Sequence, residues 1–174
     1  MVTNHVHFLD WLLLVGRHYF CTFVMRSDFK KMPVMGTATN TMQCFYVSRT
    51  ATEEENNKLV ASLTQRMKDV ENGVYERPVW IAAESICANG SGLIPFKRGA
   101  FDSLCAVQPC VFRYDLIFRG ISQAYDVTTL EGQFMLWTSK IVSDVTIFSL
   151  PLFIPNDYLF EKYAHKGETK ADVF

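Results

Sequence analysis

Neither sign of charge is in excess in this 174-residue chain: 17 Lys and Arg stand against 18 Asp and Glu, and the pI is near 6.4. Without a basic field the protein does not gather nucleic acid, so nucleic acid is excluded as a partner and any anion site is local. Long apolar runs are missing too. A membrane-spanning helix needs about 20 mostly apolar residues, whereas "FLDWLLLVG" is short and "IVSDVTIFSLPLFIP" is interrupted by Asp144, Pro151 and Pro155. No basic leader with a small-residue cleavage site opens the chain. The five cysteines, Cys21, Cys44, Cys87, Cys105 and Cys110, are odd in number and show no CxxC or paired metal spacing. That pattern argues against a disulfide framework and a zinc site, and for a reducing compartment. A Gly-x-Ser-x-Gly elbow is also lacking, which counts against a hydrolase with a serine nucleophile, and no cysteine sits in a nucleophile motif.

What is present is apolar mass. Hydrophobic residues make up 49% of the chain and aromatics 14%, enough for the core of one domain. A helix is predicted from about His5 to Gly16, a strand over "HYFCTFVM", and a turn-rich connector over "SDFKKMPVMG". "QCFYVSR" reads as a buried strand ending at Arg49. The clearest helix runs from Thr52 to Glu71, where Thr52 and Glu55 form a capping-box pattern, Leu59, Leu63, Met67 and Val70 recur at helical spacing, and Gly73 is the stop. Further strands are predicted at "PVWIAA", "AVQPCVFRY" and "VTIFSLPLFI". A helix is predicted within "TTLEGQFMLWTSKIVSD", and the polar tail is predicted to end in a helix and a loose terminus. Strands separated by helices, several of them apolar throughout, give an α/β class: a single domain with a mostly buried mixed sheet flanked by helices.

Titratable groups crowd the start. "NHVHFLD" sets His5, His7 and Asp10 within seven residues, against an apolar run. In a regular helix His7 and Asp10, three apart, are neighbours; His5 and Asp10, five apart, meet only if His5 precedes the first turn. Either pairing lets a carboxylate hold one imidazole nitrogen and raise the basicity of the other, as a general base requires. Arg49, at the end of a strand, has a fork geometry that suits phosphate. In "ESICANGSGLIPFKRGAF", Glu84 follows an apolar strand and precedes a loop with Asn89 and Gly90, then Lys97 and Arg98. A carboxylate and a basic pair around a small-residue loop suit a phosphorylated substrate, helped by backbone N–H groups.

The order of these features resembles the glycerophospholipid acyltransferases, the family of lysophosphatidic acid and lysophosphatidylcholine acyltransferases. "NHVHFLD" is similar to the family's NHxxxxD block, with His5 and Asp10 in the catalytic places. "KKMPVMGTATNTMQCFYVSR" resembles the second block, whose last arginine corresponds to Arg49. "AAESICANGSGLIPFKRGAF" resembles the third, written FPEGTxSNG, and "AVQPCVFRY" the proline-centred fourth. The wording leans toward the lysophosphatidylcholine acyltransferase branch. The resemblance implies one phospholipid/glycerol acyltransferase domain over residues 1–174, lacking an amino-terminal membrane anchor. It implies acyl-CoA as co-substrate, no cofactor and no metal, a lysophospholipid acceptor, and work at a membrane surface of the endoplasmic reticulum facing a reducing compartment. It also implies that His5 and Asp10 are catalytic, and that Arg49, Glu84, Asn89, Gly90, Lys97 and Arg98 bind substrate.

One block departs from the pattern. Where the family has Phe-Pro-Glu-Gly-Thr, this chain has Ala82, Ala83, Glu84, Ser85 and Ile86. Ser85 brings a Cβ where the family's glycine is free to take a positive φ, and Ile86 lacks the threonine hydroxyl. The alternative reading is therefore a catalytically impaired relative that binds lipid or acyl-CoA.

Overall fold

A strand of two residues lies inside the sheet. In the computed structural model, which describes residues 1–8, 10–18, 21–115, 129, 131–132, 135, 138–139 and 144–174, β1 (Val2–Thr3) pairs in parallel with β4 (Val79–Ala82) on one side and β5 (Pro109–Asp115) on the other. β2 (Thr22–Arg26) lies parallel to β4 and carries β3 (Phe45–Val47) at its outer edge. β6 (Asp144–Ser149) runs antiparallel to β5, giving the order β3-β2-β4-β1-β5-β6. The result is a mixed α/β sheet flanked by helices, as the alternation of strand and helix patterns predicts.

Period-two alternation sorts the side chains onto two faces. Phe23, Met25, Trp80 and Phe112 pack on one face with Trp11 and Leu14 of α1 (Asp10–His18). There Phe23 meets the Trp80 ring edge-on at 5.2 Å and Trp11 at 6.1 Å. Val2, Ala83 and Val107 form the opposite cluster with Ala100, against which Phe101 and Phe174 pack. The predicted long helix is α3 (Glu53–Glu71), with both halves of the capping box made: Thr52 Oγ1 accepts from the Glu55 amide and the Glu55 carboxylate from the Thr52 amide. Leu63 is the fully buried residue of its apolar stripe.

Several expectations change. The first helix starts at Asp10, not near His5, because the Asp10 carboxylate binds the amides of Val6 and His7 and holds the preceding residues in a turn. The expected connector holds a 3-10 turn (Ser27–Lys31) and α2 (Pro33–Thr41), which Pro33 opens at a position where a missing N–H costs nothing. Gly36 permits that packing, since a Cβ there would lie 2.3 Å from the Lys30 carbonyl oxygen. β3 is half-buried and ends two residues before Arg49. The tail is pinned: after α4 (Asp157–Tyr163) and α5 (Lys170–Val173), Phe174 packs on Phe101 and Phe153 at 5.3 and 5.7 Å. Most of the helix expected in residues 128–144 lies outside the described residues.

Candidate active site

Because β1 to β5 run parallel, the residues that follow them emerge at one end of the sheet, the end where open α/β sheets bind ligands. His5 follows β1, Arg49 follows β3, Glu84 follows β4, and Tyr114 lies in the last turn of pleat of β5. The chain between β1 and α1 is anchored by Asn4, whose buried side chain accepts from the Phe112 amide at 2.8 Å and donates to its carbonyl at 3.0 Å. That clamp fixes the block to β5.

The Asp10 carboxylate is fully buried and organises the turn. Its Oδ2 faces His5 Nδ1 at 2.9 Å and accepts from the amides of Val6 at 2.9 Å and His7 at 3.1 Å. Its Oδ1 accepts from the Tyr114 hydroxyl. Three donors besides the imidazole, the amides of Val6 and His7 and the Tyr114 hydroxyl, satisfy the buried carboxylate in place of a solvent shell. About a fifth of the His5 side chain remains open to solvent. Burial works against the charged imidazolium, but hydrogen bonds to Asp10 and to Cys87, together with the Asp10 charge, overcome it and push the His5 pKa up to about 10. His7 is buried, its ring tilted against Phe8 at 4.5 Å, and its amide rather than its ring spacing brings it to Asp10.

Glu84, 2% exposed, joins this block to the next. Its Oε2 accepts from the His5 amide at 2.6 Å and its Oε1 from the Ile94 amide at 2.8 Å. The loop after it closes on itself: the Lys97 amide donates to the Ala83 carbonyl at 2.8 Å, and the Ala88 amide to the His5 carbonyl at 2.7 Å. Within the loop, Asn89 Oδ1 accepts from the amide and hydroxyl of Ser91, and Gly90 takes φ +73° over the Val6 side chain. Ser85 adopts φ +61°, so the family's glycine position does require the left-handed conformation here. Ile86, Leu93 and Phe96 are exposed on the same loop.

The structure thus brings His5, Asp10 and Glu84 into one hydrogen-bonded unit, with Asn89 and Gly90 on the adjoining loop. Arg49 stands apart: it is exposed, beyond the outermost strand at the same end of the sheet. Lys97 is exposed at the loop's base, and Arg98 pairs with Asp102 at 2.8 Å and Asp172 at 3.2 Å, tying the loop to α5. Asn4, Tyr114 and Cys87 were not singled out by the sequence. Asn4 resembles a helix cap there, and Tyr114 is one aromatic among many; only the pairing of β1 with β5 reveals their places. Among the described residues no group of three or more His, Cys, Asp or Glu is arranged to hold a metal ion, and no helix is long and apolar enough to cross a membrane.

A buried carboxylate orienting a partly open histidine is an arrangement for proton transfer at the imidazole nitrogen that Asp10 does not hold. The chain is also similar to known proteins named as acyltransferases. The chain is 24% identical over 156 residues to "Lysophospholipid acyltransferase LPEAT1" of Arabidopsis thaliana, covering 90% of this chain and 38% of that protein. It is 32% identical over 139 residues to "Lysophosphatidylcholine acyltransferase 1" of Danio rerio, covering 78% and 26%, and 24% identical over 157 residues to "Lysophosphatidylcholine acyltransferase" of Drosophila melanogaster, covering 90% and 28%. It therefore spans well under half of each of these relatives. No solved structure matches it. The family profile described as Acyltransferase matches residues 1–113, every element from β1 into β5, and the chain belongs to that family.

Proposed function

We propose that the protein transfers a fatty acyl group from acyl-CoA to the free hydroxyl of a lysophospholipid, with His5 as general base. The observation that carries this reading is the His5–Asp10 pair at 2.9 Å, open to solvent on the imidazole side only. In the working form Nδ1–H is donated to Asp10, and Nε2 takes the proton of the acceptor hydroxyl as its oxygen attacks the thioester carbonyl. When the carbon–sulfur bond breaks, the imidazolium returns that proton to the departing CoA thiolate, so no covalent enzyme intermediate forms. Holding both substrates at one end of the sheet supplies much of the acceleration. Arg49 and Lys97 offer positive charge to the acceptor phosphate, with Arg98 beside them. Glu84, Asn89 and Gly90 shape the acceptor loop. The acyl donor is a co-substrate, and no cofactor or metal takes part. Since both substrates partition into bilayers, the reaction occurs at a membrane surface, on the reducing side of the endoplasmic reticulum.

The test is thiol release from acyl-CoA in detergent or vesicles, across a panel of lysophospholipids. Release requires an acceptor and falls by about 10²–10⁴-fold in His5→Ala. Activity surviving in His5→Ala would transfer the role to His7. The second reading, a binding protein without catalysis, is favoured by the strained Ser85 and by Ile86; acyl-CoA or lysolipid binding with no release from the folded protein would establish it.

A further inference from the structure

We infer that Tyr114 is a positioning residue that sets the basicity of His5 through Asp10. The Asp10 carboxylate has two distinct sides. Oδ2 serves the imidazole and two backbone amides, while Oδ1 accepts from the phenol of Tyr114. A donor on Oδ1 draws charge away from Oδ2 and loosens its hold on the imidazolium. The phenol reaches Asp10 from β5, the strand to which Asn4 clamps the histidine block, so donor and acceptor are held by the same pairing of β1 with β5. Burial foremost, then the Asp10 charge, lifts the Tyr114 pKa far above the usual phenol range, and the hydroxyl stays a neutral donor at working pH.

Other described groups also face this pair. Cys87 bonds to His5 and also acts on Tyr114, Glu84 holds the His5 amide, and the His7 ring lies 6.0 Å from that of Tyr114. Among the described residues, the donor to Oδ1 is the Tyr114 phenol. Tyr114 also belongs to the rim of the main apolar cluster, and phenylalanine preserves that packing while deleting the donor.

The experiment is a titration of the histidine ring nitrogens by NMR in the full chain, with His5→Ala assigning the His5 signal among the four histidines. Tyr114→Phe raises the His5 midpoint by about one pH unit. Site-specific 3-fluorotyrosine at position 114, a stronger donor of nearly the same size, lowers it. A His5 midpoint that does not move, or that moves the other way in either variant, overturns the inference. The effect on rate rests on the proposed function: the rising limb of the pH–rate profile for acyl transfer moves up with the midpoint in Tyr114→Phe, while KM for both substrates holds. If the wild-type protein transfers no acyl group yet the midpoint shifts, the transferase reading fails and the Tyr114 inference stands.

Discussion

The histidine block and the loop after Glu84 sit side by side at one end of the sheet, yet they are built in opposite ways. In residues 4–10 the polar groups are buried and bonded: Asn4 to Phe112, Asp10 to His5, Val6, His7 and Tyr114. In residues 85–98 most side chains are exposed, Ile86, Leu93 and Phe96 among them, and one residue is held at positive φ without being glycine. The first region fixes the direction of one imidazole, and the second turns its side chains outward. This division explains why the family pattern is kept intact in the first and altered in the second. A buried carboxylate that holds His5, two backbone amides and a phenol tolerates little change, because each orphaned donor costs about 1–3 kcal/mol. A solvated loop absorbs substitutions at lower cost.

The contrast is testable, and pH gives the largest effect. The His5 pKa of about 10 lies above its ordinary 6.5, so the neutral base becomes more abundant as pH rises. Initial rates should climb about tenfold per pH unit below that value, hence about a hundredfold from pH 7 to pH 9. Stability should move the other way. The protonated ring contributes its full stabilisation below pH 6.5 and loses it as pH passes through about 10, which urea midpoints across that window will show. A rate that is flat over this range would dissociate the base from His5.

Glu84 is where the two regions join, and Glu84→Gln tests whether the division holds. The amide accepts from only one of the two N–H groups and turns its own NH₂ on the other, so the fold should lose about 1–3 kcal/mol in urea unfolding. Rate should fall with it, because the His5 amide is one of the two donors that depend on this carboxylate. A variant as stable as the parent would mean that the carboxylate serves a ligand rather than the chain. The smallest effect is confined to the loop. Ser85→Gly removes the penalty for a left-handed side-chain-bearing residue and should stabilise by about 1 kcal/mol; a loss of stability would show that the serine side chain makes up for its backbone.

Much of this was legible in the chain. Thr52 and Glu55 announce the start of α3 because a capping box is local, needing only residues three apart. Spacing left both His5 and His7 open as the partner of Asp10, and only the family resemblance pointed to His5: the sequence shows an apolar run, but not that Asp10 would take the amides of Val6 and His7 for itself. α2 was missed because its apolar face is weak and Pro33 reads equally as a turn. The pinned terminus was missed because a single Phe174 carries no period and gains its meaning from Phe101 and Phe153.

By itself the sequence determined the α/β alternation, which rests on spacing along the chain, while the order of the four blocks and the choice of His5 over His7 came from the family resemblance. Tertiary structure alone decided that a strand of two residues would bring Phe112 to Asn4 and Tyr114 to Asp10, more than a hundred residues apart in each case, and that Glu84 would spend both oxygens on backbone amides. Those contacts are invisible in sequence because a buried hydrogen bond depends on which atoms the sheet's strand order places together, and strand order is set by the packing of the whole core.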